Sequence, residues 1–390
     1  MKDKNEPLFP ERRKFIKGVS LALGTTALGI PLLSLSACQS GNADSAAQEE
    51  GANQGNTQKK KLGLALVGLG GYSSGQLAPA LQETENCYLA GIVTGTPEKA
   101  EEWKQKYNIP DKNVYNYENF DQIKDNPDID IIYVVLPNSM HAEYTIRAAQ
   151  AGKHVISEKP MATSVEDCQR MIDACNQNNV KLSIGYRLHF EPYNRRVMEL
   201  GQKQVFGPVK QIKAANGFVA NDPEMWRLDK ELAGGGPLMD MGIYCVQGAC
   251  YTTGETPVAV TAKFGKVTRP DVFDEVEESI DWMMEFPNGA AADCTTSYNK
   301  NEGMLRGEAE NGWWELNPAY SYSGIDGETS EGDMDYPHVN QQALQMDDFA
   351  DCILNNRQTI VPGEMGLRDV RILMAIYEAA RTGKTVQIQS

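Results

Sequence analysis

Apolar positions first come in short runs separated by amphipathic stretches. Leu64, Ala65, Leu66 and Val67 form an uninterrupted apolar run, as expected of a strand buried on both faces. Residues 76–82 can follow it as a helix. Residues 87–93, 130–136, 153–157 and 181–185 read as further strands. Helical spacing separates them at 97–107, from a Ser139 cap to Gln150 with Gly152 closing, and at 163–178. Strand and helix in alternation imply a doubly wound parallel α/β sheet.

Beyond about residue 186 the period changes. Residues 211–219, 258–267, 275–286, 290–298 and 308–316 read as strands, and Ile280, Trp282, Met284 and Phe286 alternate cleanly with polar neighbours. Pro287-Asn288-Gly289 and Asn311-Gly312 are hairpin signals. Residues 320–336 form an acidic, Gly/Ser-rich loop without periodicity; 341–355 and 367–381 read as amphipathic helices, the last closed by Gly383. The expectation is a nucleotide-binding domain at 61–185, then an α+β domain at 186–390 with a large, mainly antiparallel sheet.

The first sixty residues belong to neither. Arg12-Arg13-Lys14-Phe15-Ile16-Lys17 is a twin-arginine pattern, followed by a small-residue apolar region to Leu35. That order marks an export signal over 1–37 and not a membrane-spanning helix. Leu35-Ser36-Ala37-Cys38 is similar to a bacterial lipobox, so Cys38 is the expected lipidation site; ordinary cleavage after Ala37 is the alternative. Residues 38–60 make a flexible tether. The expected location is the periplasmic side, with membrane contact only through the lipid. Removing 1–37 takes away six Lys/Arg and three Asp/Glu and moves the formal charge from −16 to −19. So acidic a body argues against nucleic acid as a partner. The other seven cysteines are scattered, odd in number and without a C-x-x-C, and read as buried free thiols. His141 and His189 have no companions at metal-ligand spacing, so no metal is expected.

Candidate chemistry begins where the first strand ends. Gly68 permits a tight turn; Gly70, followed by Gly71 and Tyr72, lets backbone approach a pyrophosphate, and Ser73 is small enough for helix–strand packing. A plain structural turn would use the same glycines. At the end of the second strand, Val93-Thr94-Gly95-Thr96-Pro97-Glu98-Lys99 lacks the acidic residue that usually binds a ribose 2′-hydroxyl. Thr94 and Lys99 could instead bind a 2′-phosphate, which favours NADP over NAD; an exposed Lys99 with no ligand is the alternative. Glu158-Lys159-Pro160 lies just past a strand's carboxyl end, where open α/β sheets bind ligands. Gly234-Gly235-Gly236 precedes Asp240 and Tyr244, four apart and therefore on one helical face. Tyrosine is a poor base at its free pKa of about 10, and a neighbouring ammonium such as Lys159 would favour the phenolate. Trp226 could stack on a nicotinamide or sugar, and Arg187 and Arg227 could reach phosphate or amide oxygens; interdomain salt bridges and a core Trp are the alternative.

The segments G-L-G-G-Y, L-P-N-S-M-H-A-E, A-G-K-H-V-I-S-E-K-P-M-A-T-S-V, I-G-Y-R-L-H-F-E-P and W-R-L…E-L-A-G-G-G…M-D-M-G-I-Y, spread from about Lys61 to Thr385, resemble the sugar and inositol dehydrogenases of the glucose–fructose oxidoreductase (Gfo/Idh/MocA) type. The resemblance implies a Rossmann first domain, helices from the second domain packed beside it, and homo-oligomers (dimer or tetramer). It implies catalysis by Tyr244 as acid/base, Lys159 as its tuner and Asp240 as the group orienting the hydroxyl. It also implies cofactor contacts from Gly68, Gly70, Gly71, Tyr72, Thr94, Lys99, Pro137, Asn138, His141, Glu158, Lys159, Arg187, Trp226 and Arg227. The reaction implied oxidises an aldose to its lactone and reduces a second sugar to a polyol on one retained NADP. An exported NAD-dependent glycosidase of the same superfamily and a non-catalytic sugar-binding protein are the alternatives.

Overall fold

The structure of the protein, a computed structural model, describes residues 61–388. The twin-arginine pattern, Cys38 and the tether lie outside the described residues.

Six strands build the first sheet: β1 (Leu62–Val67), β2 (Cys87–Val93), β3 (Val114–Tyr115), β4 (Ile131–Val134), β5 (His154–Ser157) and β6 (Leu182–Ile184). Every pairing is parallel, in the order β3-β2-β1-β4-β5-β6. The chain winds outward from β1 to β3, then crosses back to lay β4 on the other side. Such a reversal opens a crevice beyond the carboxyl ends of β1 and β4. Every residue of β1 and of β4 is buried, as strands covered on both faces must be.

Helices α1 (Pro97–Tyr107), α2 (His141–Gln150) and α3 (Val165–Gln177) join these strands. Pro97 opens α1, Asn108 closes it in the left-handed region, and the Ser164 hydroxyl caps α3 by accepting from the Asp167 N–H at 3.1 Å. Ser139 does not cap α2. Residues Asn138–Met140 tighten into a 3₁₀ turn, the cap position falls to Met140, and the Ser139 hydroxyl is buried without a partner. The turn is fixed from outside instead: Asn138 Nδ2 donates to the Ala233 carbonyl at 2.8 Å, and the His141 ring is wedged between two carbonyls.

The second half adds helices α4 (Pro192–Gln202), α5 (Ile243–Thr253), α6 (Gln341–Leu354) and α7 (Gly363–Thr382). Its strands are β7 (Val209–Val219), β8 (Ala259–Phe264), β9 (Ser279–Glu285), β10 (Ala291–Ser297), β11 (Asn299–Ala309), β12 (Gly312–Leu316), β13 (Gly327–Thr329), β14 (Gly332–Asp333) and β15 (Val386–Gln387). They form one sheet in the order β14-β13-β12-β11-β7-β10-β9-β8-β15, antiparallel except where β10 runs parallel to β7. Residues 308–316 are not one strand but the turn of the β11–β12 hairpin, bent at Asn311 where its N–H donates to the Phe206 carbonyl at 2.9 Å. Residues 320–336 are not wholly irregular, since β13 and β14 pair within them.

Helix α6 returns to the first sheet. Ala343, Met346, Phe349, Ala350 and Cys352 share a core with Leu62, Leu64, Leu66, Ile131 and Tyr133. The Asp347 carboxylate accepts from the backbone N–H groups of Glu85 (2.8 Å) and Asn86 (2.7 Å), just before β2. From Lys61 onward both sheets therefore belong to one packed unit. The seven cysteines among the described residues are all buried and free. Among those residues, no helix is long and apolar enough to cross a membrane.

Candidate active site

The crevice begins at Gly68, which ends β1 with φ +92°. A β-carbon there would both force an L-residue into the left-handed region and collide with the Val135 carbonyl oxygen beyond β4. The Gly68 N–H donates to the Val93 carbonyl at 3.0 Å, and Ser73 Oγ donates to the Gly68 carbonyl at 2.6 Å. The helical stretch expected at 76–82 starts and ends earlier, as a π-helical turn over Ser73–Leu77 running into Ala78–Ala80. Gly70 and Gly71 are exposed, and a β-carbon on either would meet nothing within 4 Å. Bare backbone thus faces open room, which a pyrophosphate could approach.

Thr94 and Lys99 flank this turn. Thr94 is buried at the end of β2, its Oγ1 accepting from the Thr96 N–H at 3.3 Å. Lys99 reaches back from α1, donating to the Leu69 carbonyl at 3.1 Å, so an ammonium stands beside the residue before Gly70. A hydroxyl and an ammonium suit a 2′-phosphate.

Lys159, past β5, forms the second group together with Asp240 and Tyr244. The Gly234–Gly236 run lets the second half approach the first: a β-carbon on Gly234 would strike the Thr163 side chain ahead of α3, and one on Gly235 the Tyr377 hydroxyl of α7. Asp240 lies in a π-helical turn (Leu238–Gly242) that leads into α5, so it and Tyr244 do not sit on one regular α-helical face as the spacing suggested. Lys159 nonetheless meets both. Its Nζ donates to the Asp240 carbonyl at 2.7 Å and to Oδ1 at 3.2 Å, and stands 4.7 Å from the centroid of the Tyr244 ring.

Asp240 Oδ2 also accepts from Arg227 Nε at 2.8 Å and from the Tyr298 hydroxyl at 3.1 Å. Burial opposes its ionisation, yet Arg227 and Lys159 together hold its carboxyl well below the usual range. Burial likewise opposes the Lys159 ammonium, but Tyr244, Asp240 and Glu158 outweigh it and hold the pKa above its ordinary value. Glu158 is pushed up by burial; its Oε1 accepts from the Tyr133 hydroxyl at 2.6 Å, and the Tyr133 oxygen in turn accepts from Gln345 Nε2 of α6 at 2.8 Å.

Comparison with known proteins decides the family. Residues 62–186 match the oxidoreductase family with an NAD-binding Rossmann fold (GFO_IDH_MocA), and residues 194–313 match the GFO/IDH/MocA C-terminal domain. The chain belongs to the Gfo/Idh/MocA oxidoreductase family. The aldose-aldose oxidoreductase of Caulobacter crescentus is 44% identical, with a TM-score of 0.82 over 84% of this chain and all of that one. D-xylose 1-dehydrogenase [NADP(+)] of Haloarcula marismortui is 29% identical over 342 residues, covering 83% of this chain and 92% of its own. A second D-xylose 1-dehydrogenase (NADP(+)), from Haloferax volcanii, is 27% identical over 83% of this chain and 99% of its own.

The remaining candidate residues divide by their partners. In this Gfo/Idh/MocA protein the structure gathers Lys159, Asp240, Tyr244 and Arg227, with Trp226 stacked 4.6 Å beneath the Arg227 guanidinium. Asn138 and His141 instead brace the loop after β4. His141 Nδ1 and Nε2 lie 2.9 and 2.8 Å from the Pro160 and Leu136 carbonyls, and burial lowers the ring's pKa. Pro137 starts that loop, its carbonyl accepting from the Met140 N–H at 2.9 Å. Arg187 is buried and donates to the carbonyls of Tyr320 (2.5 Å) and Ser321 (3.0 Å) and to Gln341 Oε1.

Three further residues escaped the sequence. Tyr298 bonds Asp240 directly. Glu277 accepts from the N–H groups of Gly236 (3.0 Å) and Leu238 (3.1 Å) and from the Tyr377 hydroxyl (2.8 Å), bracing the segment that carries Asp240. Tyr322, from the acidic loop, lies under the Arg187 guanidinium at 4.5 Å and beside Tyr72 at 5.6 Å. Its signal was an aromatic pair, Tyr320 and Tyr322, inside a stretch otherwise polar and glycine-rich.

Proposed function

We propose that this protein is a sugar oxidoreductase that retains NADP, oxidises an aldose to its lactone and reduces a second sugar to a polyol. The observation that carries the proposal is the joining of Lys159 to Asp240 and Tyr244 beside the crevice of the first sheet. The names of the similar proteins, an aldose-aldose oxidoreductase and two NADP(+) xylose dehydrogenases, support the substrate class and the cofactor.

Gly68, Gly70 and Gly71 would receive the pyrophosphate, and Thr94 and Lys99 the 2′-phosphate. Bound NADP supplies the acceptor for the hydride leaving the sugar carbon and, once reduced, the donor for a second carbonyl. Tyr244 takes the proton of the sugar hydroxyl and later returns one to the second sugar's carbonyl oxygen, so protons and hydrides balance over the cycle. The Lys159 ammonium stabilises negative charge on Tyr244. Asp240, with both oxygens engaged, keeps Lys159 and Arg227 in place and leaves Lys159 donor capacity for the sugar oxygen.

Export through the twin-arginine pattern and lipidation at Cys38 belong to the same proposal. A cofactor lost outside the cytoplasm has no pool to replace it, which is why oxidation and reduction are coupled on one bound molecule. Homo-oligomerisation through the outer face of the second sheet, on which Met283 and Glu285 of β9 are exposed, belongs to the same proposal.

The test is to purify the protein without added nucleotide, release what it holds by denaturation and identify it by mass spectrometry. NADP(H) is expected; chiefly NAD(H), or no nucleotide, overturns the proposal. With intact protein, one of a panel of aldoses should raise the absorbance band of reduced nicotinamide and a second sugar should abolish it. Reduction without any sugar able to reverse it would refute the coupled reaction.

A further inference from the structure

The glycine-rich turn and the catalytic tyrosine come from opposite halves of the molecule, and two aromatic rings bridge the space between them. Tyr72 follows Gly71 on the turn. Tyr322 reaches toward it from the loop after β12, with ring centroids 5.6 Å apart and planes tilted by 31°. One guanidinium, that of Arg187, lies 4.5 Å from the Tyr322 ring and 5.4 Å from the Tyr244 ring. Tyr322 is thereby linked to Tyr244 through the Arg187 guanidinium.

The base of the Tyr322 loop is held firmly. Arg187 donates to the carbonyls of Tyr320 and Ser321, and Gln341 Nε2 donates to those of Ser321 (3.1 Å) and Tyr322 (3.2 Å). Tyr322 as a residue is 45% exposed. A pinned backbone thus carries a partly uncovered residue whose bridge to the opposite wall is one aromatic contact. Such a contact breaks and re-forms at low cost while the loop stays in place.

We infer that Tyr322 and Tyr72 form a gate across the cofactor groove, through which a nicotinamide dinucleotide must pass to enter or leave. The inference rests on the proposed use of NADP. Because the gate is a barrier, opening it speeds entry and exit together, whereas loss of an ordinary cofactor contact speeds exit alone.

The experiment compares the full chain with Tyr322→Ala, Tyr322→Leu and Tyr322→Phe, following NADPH fluorescence by stopped flow during binding and during displacement by excess NADP⁺. Circular dichroism checks the fold of each variant, and Tyr322→Leu stands in should Tyr322→Ala misfold. Association and dissociation should both quicken by about 3- to 10-fold in the Ala and Leu variants, the scale of one aromatic contact. Affinity should hardly move, and Tyr322→Phe should match the parent. Unchanged rates overturn the gate. Faster release with weakened affinity and unchanged entry also overturns it, leaving Tyr322 a plain contact. Binding is followed on protein first stripped of retained nucleotide, and failure of the cofactor proposal shows separately, as a parent protein that carries no nucleotide on purification and binds no NADPH once stripped.

Discussion

Tyr244→Phe deletes one oxygen and keeps the ring in its packing beside Tyr320, whose centroid is 5.8 Å away. Sugar-driven reduction in single turnover should slow by about 10²–10⁴-fold, the usual worth of a general acid–base group. Bound NADP should remain, because Gly68, Thr94 and Lys99 are untouched; a near-parental rate would remove Tyr244 from the chemistry. Lys159→Met should lose a similar factor, and the double variant much less than the product of the two, since the groups act as one unit. Asp240 gives a pH signature. Its folded pKa is depressed below the unfolded value of about 3.9, so the unfolded chain binds more protons through that window. The stability it contributes is present above about pH 4 and lost as pH falls further. Denaturation curves of Asp240→Asn should flatten in that acidic range, and an unchanged slope would contradict the linkage. Lys159, Asp240 and Tyr244 were legible because a sequence resemblance flanked each of them. Tyr298 and Tyr322 were not, since their importance lies in partners 58 residues or more away in the chain and not in local spacing.

Between the residues and the fold stand the segments that bring them together. Gly235→Ala would press a methyl group against the Tyr377 hydroxyl, and overpacking of that kind costs about 1–3 kcal/mol. Urea denaturation should show this loss, whereas Gly70→Ala, which meets no neighbouring atom, should leave stability almost unchanged while weakening NADP binding. Phe349→Ala should cost about 3–5 kcal/mol, because the ring is fully buried against the first sheet although it belongs to the second half. A variant losing under about 1 kcal/mol would place α6 outside that core. Strands with a clear inside and outside, such as β9 with Ile280, Trp282 and Met284, were readable from alternation. Strand β11 was not: Asn299, Lys300 and Asn301 are exposed, and Leu305 and Gly307 alone are buried along its length. Its pairing with β7 and β12 is supplied by backbone hydrogen bonds, which leave no mark on composition. The same holds for the loop after β4, where Ser139 looked like a cap but carbonyls from elsewhere had already set the turn.

At the scale of the whole molecule, the acidic body and the N-terminal address make separable predictions. Cys38→Ala should move the protein from the membrane fraction to the soluble periplasmic fraction; equal membrane association of variant and parent would remove the lipid anchor. Sedimentation of the parent should report a dimer or tetramer, and Met283→Lys on the outer sheet face should favour smaller species. The return of α6 to the first sheet has a consequence for how the protein is made. Leu62, Leu64 and Leu66 emerge from the ribosome early, but Met346 and Phe349, which complete their covering, emerge near the far end of the described chain. Until then the nascent first sheet has an uncovered apolar side and must be shielded by a chaperone or wait partly folded. A ribosome that stops short of α6 therefore releases a product with a sticky wound where the full-length protein has a sealed core. Proteolysis during translation should strip such truncated chains, and α6 thereby serves as a proofreading mark that synthesis has passed Leu354.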